Sequence, residues 1–179
     1  MADSTTTIGL SMSDLREVAA YAVACARPAL EIFERARPHD LSARAAIDTA
    51  QAFVDGGERT KALRDHAWAA LRAAQKARDE GAVAASEAAR AAGAACGAAF
   101  LHPLPKATQV KHILGAAAYT ARAFELAAGG DPAVAGDHIS RAEALATPMV
   151  VEVLRRYPEA PSGGGPVGAL IRQLDAALR

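Results

Sequence analysis

The stretch AVAASEAARAAGAACGAAF, residues 82–100, holds eleven alanines and places Gly93 and Gly97 four positions apart. Alanine is the best helix former, because its side chain loses no conformational entropy in a helix and has no polar group to bury. A glycine inside a helix costs about 1 kcal/mol relative to alanine. Small residues four positions apart lie on one face of a helix and let a second backbone approach closely. This stretch therefore predicts a helix that packs closely against a neighbour.

The same composition extends over the whole chain. Of the 179 residues, 48 are alanine, whereas aromatic residues make up only 4%. The β-branched residues that favour strands are scarce. The length suits one domain with a real core and is too short for two. We therefore predict an all-α fold, a single alanine-rich bundle of six to seven helices.

Apolar spacings, prolines and glycines divide the chain into helices. Pro28 lies inside the first apolar pattern, where it predicts a kink or a break. Thr147-Pro148 predicts either a kink or the start of a separate helix. The expected helix caps are Ser13, Ser42 and Asp131. Helices are predicted near residues 13–37, 42–55, 58–80, 82–100, 106–128 and 132–157, with a short one at the C-terminus.

The predicted domain organisation is simple. Residues 11–157 form the helical bundle, and residues 158–179 form a linker and a short C-terminal helix that packs on the same domain. Cys25 and Cys96 lie within apolar helical patterns rather than at metal-ligand spacing, so we interpret them as buried thiols in a reducing compartment. The core is expected to include Val18, Ala22, Phe33, Ile47, Phe53, Leu71, Leu114, Ala117 and Phe124.

Charge restricts the classes of partner. Basic and acidic residues number 20 each, and no block of five or more basic residues occurs. The field that attracts nucleic acid or anionic lipid is therefore missing. The longest charge-free apolar run, residues 91–101, is about half as long as a membrane span, and the N-terminus lacks the features of a secretory signal. We expect a cytoplasmic protein that binds neither nucleic acid nor a membrane.

The chain contains no recognisable catalytic, metal-binding or phosphate-binding motif. It has no Glu-x-x-His, no His-Glu-x-x-His, no Cys-x-x-Cys and no phosphate-binding loop. We therefore predict no catalytic residue, no metal site and no cofactor. His66, His102 and His112 each adjoin an apolar stripe, where an imidazole bonded to a backbone carbonyl or a helix end is the usual arrangement. The alternatives are a three-histidine metal site or a small-ligand pocket. Tyr119 lies off the main stripe of its helix, so it either covers the core or faces a partner.

Several segments carry a family pattern. The informative residues within them are Cys25, Arg44 and His66, then Arg90 and Gly93, and finally His102, His112 and Tyr119 in that order. The segments are DLREVAAYAVACARPALEIFE (14–34), RAAIDTAQAFVDG (44–56), LRDHAWAALRAAQKA (63–77), and ARAAGAACGAAFLH (89–102) together with KHILGAAAYTARA (111–123). Over roughly two thirds of its length, the chain resembles immunity proteins of bacterial polymorphic toxin systems, the type called immunity-protein-five-like. Everything after Asp131 lies outside the resemblance.

The resemblance implies a cytoplasmic protein that binds and neutralises a toxin protein through one face of a rigid helical scaffold, without catalysis. The candidate binding residues are His66, His102, His112, Tyr119 and Arg90. One alternative is a stalk of a DNA-repair nuclease or ATPase, which the frequent glycine and proline breaks disfavour. Another is a small-ligand or metal-binding helical protein that uses the three histidines. Aligned small-residue faces also allow a homodimer.

Overall fold

The computed structural model describes residues 6–179. Within that range every regular element is helical and no strand occurs, which confirms the all-α prediction. Two short 3-10 turns, Arg27–Ala29 and Ala107–Gln109, precede α2 and α6. The α-helices are α1 (Met12–Ala26), α2 (Leu30–Ala36), α3 (Ser42–Val54), α4 (Lys61–Asp79), α5 (Val83–Ala98), α6 (Val110–Ala127), α7 (Pro132–Leu145), α8 (Pro148–Arg155) and α9 (Gly165–Leu178).

The described residues form more helices than the six to seven predicted. Because the 3-10 turn at Pro28 joins α1 directly to α2, these two form one interrupted helix, and eight separate helices result. The predicted break at Pro28 is therefore confirmed. The extra helix comes from Thr147, whose hydroxyl accepts a hydrogen bond from the Val150 N–H at 3.3 Å and caps α8 as a helix of its own.

Of the three predicted helix caps, one is confirmed and two are wrong. Asp131 caps α7 as predicted, with its carboxylate accepting from the Ala133 N–H at 2.9 Å. The cap of α1 is Ser11, not Ser13. The Ser11 hydroxyl accepts from the Asp14 N–H at 3.0 Å, and the Asp14 carboxylate accepts from the Ser11 N–H at 3.0 Å. Ser42 is not a cap either, because its own N–H donates to Asp40 at 3.0 Å and it already lies within α3.

Helix α5 lies inside the bundle and contacts α1, α2, α3, α4 and α6. Its small side chains make these close contacts feasible. A methyl group added at Gly93 would lie 3.3 Å from the carbonyl oxygen of Ala67 on α4. The Cys96 thiol donates to the carbonyl oxygen of Ala46 on α3 at 3.0 Å. The prediction that this alanine-rich helix packs closely against a neighbour is thus confirmed.

The core agrees with the sequence pattern with two exceptions. Seven of the nine expected core residues are buried, the exceptions being Leu71 and Phe124. Leu71 is half-buried because it lines an open groove. Phe124 is also half-buried, and its ring stacks on the imidazole of His138, with centroids 4.0 Å apart. Cys25 and Cys96 are buried free thiols, as predicted.

The C-terminal helix α9 packs on α6 and α7. Leu174 is fully buried beneath it, and the buried Asp175 carboxylate accepts from the Ala160 N–H at 2.8 Å. Arg179 bonds to Asp175 at 2.7 Å and also donates to the Tyr157 carbonyl at 3.0 Å. These contacts connect the helix to the preceding segment. The division of the chain at residues 157 and 158 stays a prediction.

The surface area separates a compact bundle from an elongated stalk. The chain exposes 8660 Å² of accessible surface. A compact monomer of 18.4 kDa is expected to expose about 8,200 Å². Because the two areas nearly agree, the chain is a compact bundle, whereas a long rod would expose far more surface. In the described part of the chain, no helix combines the length and apolarity needed to cross a membrane.

Candidate functional site

An open groove of about 550 Å³ lies over four neighbouring helices. Helix α4 contacts α5, α5 contacts α6, and α6 contacts α9, so α4 and α9 flank the α5–α6 pair. The apolar lining comes from all four helices and from the residue that follows α5. It consists of Ala67, Trp68, Leu71, Gly93, Ala94, Gly97, Phe100, Tyr119, Val167, Gly168 and Ile171.

The groove exists because α5 has almost no side chains where it faces the opening. Apart from Arg90, only Gly93, Ala94 and Gly97 line the groove from this helix. A methyl group at Gly97 would meet only the Nδ1 atom of His112, at 3.7 Å. The larger side chains of α4 and α9 stand at the sides and leave the middle open. The small residues Gly93 and Gly97 on one face of α5 therefore open the groove, and Gly93 also permits the close contact with α4.

Trp68 on α4 is the most conspicuous residue of the groove. It is the only tryptophan in the chain, and 62% of it is exposed. A large aromatic side chain left in water beside an apolar surface is typical of a binding site, because covering it on association recovers its burial energy. Tryptophan is also among the residues that most often dominate the energy of protein interfaces.

The groove is positively charged, although the whole chain is neutral. Arg64, Arg90 and Lys111 line it, and no carboxylate does. None of these three cations forms an ion pair with another described residue. The Arg64 guanidinium lies over the ring of Phe100, 4.6 Å from its centroid. The cations of the groove therefore stay available to an outside carboxylate.

A second cavity of about 400 Å³ adjoins one end of the groove and shares Arg90, Tyr119, Gly164 and Val167 with it. Glu87 lines this cavity and is only 5% exposed. One of its carboxylate oxygens accepts from Arg78 at 2.8 Å, and the other is buried without a partner in the described structure. The Nε atom of Arg90 is likewise buried and unpartnered there. This end of the groove is polar, whereas its middle is apolar.

The structure brings together three of the five candidate binding residues. Arg90, His112 and Tyr119 line the groove, whereas His66 and His102 do not. Burial lowers the pKa of His112, the charge of Lys111 lowers it further, and the Gly97 backbone opposes the shift only in part. The lowered pKa favours the neutral form of His112.

The other two histidines have separate places. His66 is half-buried on α4 and is not among the residues that line the groove. His102 is exposed in the linker after α5, where its Nδ1 accepts from the Leu104 N–H at 3.2 Å and its carbonyl accepts from the Tyr157 hydroxyl at 2.8 Å. Within residues 6–179, no cluster of three or more histidine, cysteine or acidic side chains has a geometry that could hold a metal ion.

Sequence analysis did not single out the cations Arg64 and Lys111, nor Trp68. The role of Trp68 could have been predicted from the sequence, because a lone tryptophan beside a helical stripe is a candidate for a surface anchor. The roles of Val167 and Ile171 could not, because no local pattern shows that α9 returns to the side of α6.

The fold and groove describe an all-α protein with an exposed apolar surface and no assembled metal cluster among its described residues. A sequence model of the family described as "Imm-5 like putative immunity protein" matches residues 10–147. The match spans more than half of the chain, and the protein belongs to this family. The match continues past Asp131 to residue 147, so the expectation that everything after Asp131 lies outside it is wrong. Searches of curated proteins and of solved structures returned no match.

Proposed function

We propose that the protein binds a bacterial toxin domain by direct protein contact, neutralises it without catalysis, and uses the groove as its binding face. The observation that carries this proposal is the exposed Trp68 on an apolar groove in a chain of the immunity family. The buried free thiols Cys25 and Cys96 suit the reducing cytoplasm of a producing bacterium.

The energy available at Trp68 is large enough to matter. With 62% of the residue exposed, covering it removes roughly 150 Å² of mainly apolar surface, worth about 4 kcal/mol before the entropy of association is subtracted. Alanine substitution at such an anchor typically costs about 2 kcal/mol or more of binding free energy. That cost corresponds to a rise in Kd of about thirtyfold.

The other functions considered from the sequence receive less support. A DNA-repair stalk would expose far more surface than this chain does. A ligand or metal site built on three histidines would need His66 and His102 beside His112, and only His112 lines the groove. The homodimer stays a prediction, and the small residues of α5 that suggested it pack mainly against α4 and α6 of the same chain.

The proposal is tested by co-expressing the protein with the toxin domain encoded beside its gene and measuring growth. Wild-type protein should restore growth, and Trp68→Ala should restore much less. The matched control is Leu41→Ala, which also removes a large exposed apolar side chain, 65% exposed, from the loop before α3. Leu41→Ala should protect like wild type. Absence of protection by the wild-type protein would refute the proposal.

A further inference from the structure

We propose that the groove receives an acidic amphipathic helix of the partner protein, with apolar side chains against Trp68, Leu71 and Ile171 and carboxylates on Arg64, Arg90 and Lys111. This inference rests on the proposed function, because it takes the groove as the partner-binding face. It adds the chemistry and the shape of the element that binds there.

Charge complementarity selects the acidic partner. Arg64, Arg90 and Lys111 line the groove without a carboxylate among the lining residues, although the chain as a whole has 20 basic and 20 acidic residues. A carboxylate of the partner can accept two parallel hydrogen bonds from one guanidinium of the groove. A neutral partner group does not match this charge and geometry. A basic segment would instead meet three like charges.

The shape of the groove selects a helix. Its walls are helices, and no strand occurs in the described part of the chain, so no sheet edge is present to which an extended peptide could add. Along α5 the lining runs from Arg90 to Gly97, a distance of about 10 Å or two helical turns, and it continues to Phe100 just beyond the helix. A groove of that length accommodates two or three apolar anchors at the spacings of three and four residues by which amphipathic helices bind.

Aromatic rings beside cations also resemble a platform for single-stranded nucleic acid. The apolar lining favours protein, because Leu71, Val167 and Ile171 are aliphatic and offer no face for stacking a base. The Phe100 ring is already covered by the Arg64 guanidinium. An oligonucleotide is therefore included in the experiment as a competing ligand.

Trp68 supplies the measurement, since it is the only tryptophan in the chain and lies in the groove. Two synthetic helical peptides of equal length carry the same leucine stripe and no tryptophan, with glutamate on the polar face of one and lysine on that of the other. The full-length protein is titrated with each, and the Trp68 emission is followed. We expect the glutamate peptide to shift the emission to shorter wavelength and to bind at least about tenfold more tightly than the lysine peptide, with an affinity that falls as salt is added.

A variant with Arg64→Gln, Arg90→Gln and Lys111→Gln keeps the fluorophore and removes the charges. It should lose at least about tenfold in affinity for the glutamate peptide. The matched control is Arg72→Gln, which removes an exposed arginine from α4 outside the groove lining and should bind like wild type. Helical circular dichroism verifies that both variants are folded, and Arg90→Gln alone replaces the triple variant if the latter is not.

Equal binding of the two peptides, no response to either, or tighter binding of an oligothymidine would each overturn the inference. The proposed function is judged separately, by toxin protection. Protection that depends on Trp68, without preference for the glutamate peptide, would remove the acidic helix and leave the proposed function standing. A clear preference for the glutamate peptide without toxin protection would overturn the proposed function and leave the acidic-helix site standing.

Discussion

Replacing Gly115 with alanine should stabilise the protein, and the same change at Gly93 should not. Both glycines lie inside long helices, so alanine gains about 1 kcal/mol of helix propensity at either site. A methyl group at Gly115 would lie 3.9 Å from the Cβ atom of Ala94 and 4.0 Å from a ring atom of Tyr119, which are ordinary contacts. The expected gain is therefore close to the full 1 kcal/mol, a rise in Tm of about 2–4 °C for a chain of this size.

At Gly93 the added methyl group would lie 3.3 Å from the carbonyl oxygen of Ala67, on the backbone of α4. Pushing two packed helices apart costs about 1–3 kcal/mol, so the net effect ranges from no change to a loss of about 2 kcal/mol after the helix gain of about 1 kcal/mol. Urea unfolding of both variants measures the free energies of unfolding directly. If Gly93→Ala stabilised the protein as much as Gly115→Ala, the close approach of α4 and α5 would be refuted.

Three further predictions concern binding, acid stability and reactivity. Trp68→Ala should raise the Kd for a catalytically inactive toxin domain by about thirtyfold or more, whereas Leu41→Ala should change it less than about threefold; equal effects would place the interface elsewhere. Burial alone would raise the pKa of Asp14, but hydrogen bonds from Ser11 and Arg156 outweigh it and lower the pKa. A lowered folded pKa means stability that is present above the unfolded value and is lost as pH falls through the folded value, so the stability difference between wild type and Asp14→Asn should shrink below about pH 4; a difference that is constant with pH would contradict this. Burial raises the pKa of Cys25 and of Cys96 to about 12, so a thiol reagent at pH 8 should label neither in the native protein and both in urea, and rapid native labelling would show that the helices open.

The helices could be predicted because their signals are local. Alanine content, apolar spacings and the breaks at Pro28 and Thr147-Pro148 each act within a few residues of the chain. The errors were local too. Ser11 and Ser13 both precede the first helix, and only the pairing of Ser11 with Asp14 three positions later distinguishes the true cap. That signal was present in the sequence and was not used.

The groove could not be predicted in the same way, because it depends on which helices become neighbours. Arg90 and His112 are far apart in sequence and line one groove, whereas His66 lies two positions from Trp68 and does not line it. Successive positions of a helix point in different directions, so nearness in sequence says little about a shared site. Trp68 is a candidate anchor by its residue type alone, and its 62% exposure in the structure supports that role.

Helix α9 forms one side of the groove but lies outside the residues that the family model matches. The family match ends at residue 147, so it includes the groove residues of α4, α5 and α6 and excludes Val167, Gly168 and Ile171 of α9. The parts of the groove formed by α4, α5 and α6 therefore belong to the matched region, and the part formed by α9 does not. Val167 and Ile171 lie on the same face of α9 as the fully buried Leu174, at spacings of four and three residues, so one apolar stripe both holds the helix on the bundle and forms this side of the groove.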